Sequence, residues 1–142
     1  MRKIFVLTIT VLAMLVMAVP ALGGGRPLTA YLSGDNEVPA NESPAAGVAH
    51  VTLNQGQGEV CVHIDAGGFL GTVVAGHIHK APAGVNGGVV INLGVNSPVY
   101  DACVDGVDPD LIKDIRQNPA GYYVNVHSTV IPSGEIRGQL SK

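Results

Sequence analysis

Apolar and polar residues alternate most cleanly over residues 59–65, where Val60, Val62 and Ile64 fall on one side and Cys61, His63 and Asp65 on the other. A period of two with one greasy face predicts a half-buried antiparallel strand. Residues 74–79 repeat the pattern with Ile78 on one face and both His77 and His79 on the opposite one. Residues 122–127 do so again: Tyr123, Asn125 and His127 share a face. Of the adjacent Tyr122 and Tyr123, one is therefore expected to be buried and the other exposed. Residues 28–32, 47–53, 89–93 and 135–140 are further β-rich runs. Turn formers separate them, among them residues 33–36, 54–58, 80–88 and 128–134. One segment reads as a helix, residues 108–118. Asp108 can cap it, Pro109 suits its first position, Leu111, Ile112 and Ile115 give it one apolar face, and Pro119 stops it. About seven short strands and one short helix predict an all-β fold, an antiparallel Greek-key β-sandwich or flattened barrel.

The N-terminus departs from this pattern. Arg2 and Lys3 precede an almost wholly apolar run over residues 4–19, followed by Val19-Pro20-Ala21. That is the pattern of a secretory signal peptide, residues 1–23, with cleavage after Ala21 or Gly23 fitting equally well. The expectation is an exported chain, secreted or periplasmic, with residues 24–142 as a single domain and no membrane span in its mature form. Losing Arg2 and Lys3 leaves a net charge of about −5 with histidines neutral, and no basic cluster remains. Nucleic acid and anionic membranes are thus poor partners. Cys61 and Cys103 are the two cysteines of the sequence. In an exported chain they read as a disulfide, worth about 4 kcal/mol for a loop of this length.

The candidate chemistry lies in the histidines. His77 and His79 on one strand and His127 on a neighbour can offer three imidazole nitrogens to one ion, which suits copper, zinc or nickel and leaves an open coordination position. His63 is a fourth candidate ligand if its strand is adjacent. Asp65, Asn125 and Glu135 are candidates for fixing an imidazole's tautomer if they lie close. His50 has no metal role in this reading. The alternative is a structural cluster of histidines that hydrogen-bond across strands or to loop carbonyls. Asp101, Asp105, Asp108 and Asp110 lack the spacing of a calcium loop and read as a solvated acidic loop, as do Asp35, Glu37 and Glu42. No nucleophile elbow or phosphate loop is present, so no catalytic residue is assigned. Arg137 is expected to bond or ion-pair with the loop before its strand, and Gly121, Gly134 and Gly138 to serve turns or close strand contacts.

Three stretches resemble the motifs of the CHRD (chordin) domain family. They are Leu32-Ser33-Gly34-Asp35-Asn36-Glu37-Val38-Pro39, then Gly76-His77-Ile78-His79 with its Ala-Pro-Gly loop, then Tyr122 to Ser128 followed by Pro132 to Leu140. The resemblance implies a secreted immunoglobulin-like or dismutase-like β-sandwich. Gly76-His77-Ile78-His79, Val126-His127 and Ser133-Gly134-Glu135-Ile136 are also similar, more weakly, to segments of copper/zinc superoxide dismutases. That similarity implies copper at His77, His79 and His127. It departs from the pattern in having no histidine between His79 and His127, which removes the bridging and zinc ligands. Glu135 also stands where those enzymes carry an anion-steering arginine. The leading functional expectation is a non-catalytic interaction module for a protein or cell-surface partner. A three-histidine site for copper or zinc comes second, and dismutase activity third.

Overall fold

The computed structural model describes residues 27–142; the expected signal peptide and its cleavage site lie outside them. The chain forms β1 (Leu28–Ser33), β2 (Ala46–Asn54), β3 (Glu59–Gly67), β4 (Val73–Lys80), β5 (Gly88–Asn92), β6 (Val99–Val104), α1 (Pro109–Gln117), β7 (Tyr122–Ser128) and β8 (Ile136–Gln139). Short 3-10 turns follow β1 at Gly34–Asn36 and precede β7 at Pro119–Gly121. All eight strands belong to one antiparallel sheet in the order β5-β4-β7-β8-β1-β2-β3-β6, which curls into a nearly closed barrel. The all-β, flattened-barrel expectation holds, with its short helix.

The inward residues are those the alternation marked. Val60, Val62, Ile64, Ile78, Val124 and Val126 are each no more than 3 % exposed and meet in one core. The helix adds Ile112 and Ile115 to that core. Asp108 caps it by accepting from Asp110 N–H at 2.9 Å. Gly138 shows why β8 needs a glycine: a Cβ there would lie 2.4 Å from the Tyr31 carbonyl oxygen on β1. Gly134 is needed for a different reason, a φ of +134° in the turn before β8. Gly121 meets nothing within 4 Å, so no close strand contact explains it.

Two expectations are corrected. The sheet has eight strands because residues 99–104, read as part of an acidic loop, form β6 and pair in full register with β3. As an edge strand β6 is alternately exposed and half-buried: Tyr100, Ala102 and Val104 face inward, Tyr100 and Val104 packing against the core, and Asp101 points outward. Tyr122 and Tyr123 are both buried, at 1 % and 2 % exposed. Tyr122 faces the core. Tyr123 is on the outer face, where it lies under the Arg137 guanidinium at 3.4 Å and against the His79 ring.

The register of β4, β7 and β8 builds the outer face that matters. His77 is opposite Asn125, His79 opposite Tyr123, and Asn125 opposite Arg137. Polar side chains from three neighbouring strands thus share one patch of sheet.

Candidate metal centre

The three histidines come together. His77, His79 and His127 each offer a ring nitrogen, and these nitrogens lie within 4.8 Å of one another. The strands bring them there in different ways. His77 and His79 are two apart on β4 and so project the same way, and His127 on β7 pairs across from Ala75. The His77 and His127 rings are 4.9 Å apart between centroids.

Backbone carbonyls set the tautomers. His79 Nδ1–H donates to the Gly87 carbonyl at 2.9 Å, and His127 Nδ1–H donates to the Pro132 carbonyl at 3.0 Å. Each neutral ring has one N–H, so Nε2 of both rings carries a lone pair. The lone pair of His127 accepts from His77 Nδ1–H at 3.0 Å, while His79 Nε2 is buried with no partner. Nothing but a change of the His77 tautomer is needed to free a third lone pair. Burial holds all three imidazoles below their ordinary titration range. Neighbouring imidazoles add to this at His77 and His127, and the Arg137 charge adds to it at His79. The carbonyl hydrogen bonds at His79 and His127 oppose it without overcoming it. Neutral imidazole is the form that ligates metal.

The remaining candidates are elsewhere or do other work. His63 is on β3, between β2 and β6, and its strand is not adjacent to β4 or β7. Its Nδ1 pairs with Asp101 at 2.7 Å, so it is no fourth ligand. Asp65 is exposed on the same distant strand. Glu135 is fully buried and accepts from Ser43 Oγ at 2.6 Å and Leu70 N–H at 2.8 Å, not from an imidazole. Burial pushes its carboxyl up, but bonds from Ser128, Ser43 and Leu70 outweigh this and hold it below its ordinary value. Asn125 lies beside the cluster, yet its amide donates to Glu37 at 3.3 Å. The work expected of Asp65, Asn125 and Glu135 is done by the Gly87 and Pro132 carbonyls, which no side-chain pattern reveals.

Arg137 also differs from expectation. It bonds Val85 O and Asn86 Oδ1 in the loop after β4, not the loop before its own strand. This is the loop that presents the Gly87 carbonyl to His79. Glu37, grouped by its sequence with the solvated acids, is 8 % exposed and faces Asn125. Asp35 falls in the same motif stretch as Glu37, so nothing in the sequence set Glu37 apart. Cys61 and Cys103 are bonded, and they join β3 to β6. No helix among the described residues is long and apolar enough to cross a membrane.

No curated protein and no solved structure matches the chain. The CHRD domain family model does, over residues 28–140, which takes in every strand described above. This chain belongs to the CHRD domain family.

Proposed function

We propose that this CHRD domain is an exported, non-catalytic binding module that takes one copper or zinc ion on His77 Nδ1, His79 Nε2 and His127 Nε2. The observation that carries the reading is the buried, partnerless Nε2 of His79 beside two further imidazoles, with tautomers imposed by backbone carbonyls. A buried acceptor left unpaired costs about 1–3 kcal/mol, and a metal ion on the His79 lone pair would remove that cost. Three neutral nitrogens suit copper or zinc and leave a position for water or an exogenous ligand. The geometry thus moves metal binding ahead of the metal-free interaction module that the sequence favoured.

Calorimetric titration of the purified protein with Cu(II) and Zn(II) tests the reading. One equivalent should bind with sub-micromolar affinity. His77→Ala/His79→Ala/His127→Ala should lose that binding while remaining folded by circular dichroism. No binding, or equal binding by both proteins, sinks the proposal and leaves a histidine cluster in an interaction module.

A further inference from the structure

Beside His79 lies a cavity of about 320 Å³. The loop after β1, the loop after β4 and the turn before β8 surround it. Three side-chain atoms among its lining residues are buried with no hydrogen-bond partner: Glu37 Oε1, Asn125 Oδ1 and His79 Nε2. Their residues are 8 %, 4 % and 9 % exposed. The Glu37 and Asn125 atoms lie on the same side of the turn, each within 2.8 Å of the point where a Cβ on Gly134 would stand.

All three are acceptors when Glu37 is ionised. His79 Nδ1–H donates to the Gly87 carbonyl, and one N–H of the Asn125 amide donates to Glu37 Oε2, which leaves the Asn125 oxygen without a donor. Other amide nitrogens around the cavity donate to backbone carbonyls. Asn41 Nδ2 bonds the carbonyls of Gly134 and Glu135, and Asn86 Nδ2 bonds that of Val38. Glu37 is the one ionisable carboxyl in the lining, and no lysine or arginine contributes to it. Burial pushes the Glu37 carboxyl up to about 7, outweighing the Arg137 charge and the hydrogen bonds from Asn125 and Val38. An occupant must therefore bring hydrogen-bond donors, and preferably positive charge. Water has two donors; a primary ammonium group has three.

We propose that this cavity binds a primary ammonium group, its three N–H donors matched to Glu37 Oε1, Asn125 Oδ1 and His79 Nε2. The site needs no metal. It uses the same His79 Nε2 lone pair as the metal reading, so the two occupants exclude each other at that atom, and a chelator in the assay lets the ammonium site be tested apart from the metal. Recognition is by charge and donor count together, so a cation without N–H bonds is excluded.

The test is a ¹H–¹⁵N NMR titration of the purified protein in the presence of a metal chelator. Methylammonium should give saturable shifts at the Gly134 backbone amide and the Asn125 side-chain amide. Tetramethylammonium, of equal charge and without donors, should give none. Glu37→Gln should weaken binding about tenfold or more, the scale of losing one charged hydrogen bond. His79→Ala, which leaves the carboxyl in place, should weaken it by a smaller factor and serves if Glu37→Gln does not fold. Glycylglycinamide beside methylammonium separates a polypeptide N-terminus from a free small amine, its N-acetyl derivative serves as the peptide without an ammonium group, and saturable binding of either amine supports the site. Absence of saturable shifts with any amine, equal shifts with tetramethylammonium, or unchanged binding by the folded variants overturns the proposal.

Discussion

Glu37 combines a buried carboxyl with one unpartnered oxygen, and this has a measurable cost. Its folded-state pKa is raised from 4.5 to about 7, burial being the main cause. Arg137 acts on it from nearby, but its hydrogen bonds go to the loop after β4 and not to this carboxylate. The sign follows from proton counting. Between pH 4.5 and 7 the folded state holds more protons here than the unfolded chain, so stability falls as pH rises through that window. Above it the loss is complete. Glu37→Gln removes the titration, so it should stabilise the protein at pH 8 by about 3 kcal/mol, from the upward shift in pKa. The gain should fade to nearly nothing at pH 4. Urea midpoints of both proteins at the two pH values measure this, and a variant equally or less stable at pH 8 contradicts it. The same residue shows a limit of sequence reading. Asp35, Glu37 and Glu42 look alike as a spaced acidic group, and only the covering of Glu37 by Asn125 and Gly134 separates it from the other two.

At the scale of elements, the histidine cluster depends on loops that a strand pattern does not describe. β4 and β7 aim the rings, but the loop after β4 supplies the Gly87 carbonyl and the turn after β7 supplies that of Pro132. Arg137 on β8 holds the first loop through Val85 and Asn86, and Asn86 in turn bonds Val38 in the loop after β1. Arg137→Ala should therefore loosen the His79 tautomer. Metal affinity in calorimetry should fall about tenfold, the lower end for losing an outer partner of a ligand. An unchanged affinity in the folded variant would show that the loop holds itself. Gly138→Ala acts on the scaffold instead. A methyl group 2.4 Å from the Tyr31 carbonyl must push β8 from β1, so a loss of about 1–3 kcal/mol is expected on thermal or urea unfolding. The alternation of 59–65, 74–79 and 122–127 was legible because each strand has a core face, and the inward residues there are buried as expected. β6 was harder to read, because its inward face of Tyr100, Ala102 and Val104 is only half-buried and its outward side carries the apolar Val99 and Cys103 beside Asp101.

The whole molecule places its disulfide and its histidine cluster on different strands of the barrel. Cys61–Cys103 joins β3 to β6 over a sequence separation of 42, next to the stacked His50 and His63 rings. The metal candidates are on β4 and β7. Cys61→Ala/Cys103→Ala should lower stability by about 4 kcal/mol through the freed unfolded chain, as seen in the urea midpoint. Metal affinity should be unchanged, because sites without shared partners contribute independently. A matching loss of metal binding would mean that β6 supports the cluster through the sheet.

What the sequence by itself determined was everything carried by local period and composition. The alternation marked most strands and their inward faces, the turn residues bounded them, and proline and aspartate delimited the helix. The cysteine pair and the shared face of His77 and His79 were equally plain, because each follows from spacing along one or two segments. Only the tertiary structure decided strand order, and with it that His127 joins His77 and His79 while His63 joins Asp101. It alone placed Glu37, Asn125 and His79 around one cavity and gave the tautomer-setting role to two carbonyls. The physical reason is that strand neighbours and loop coverings are long-range choices made by the closing of the sheet. A backbone carbonyl, present at every residue, leaves no mark in the sequence to show which one will face an imidazole.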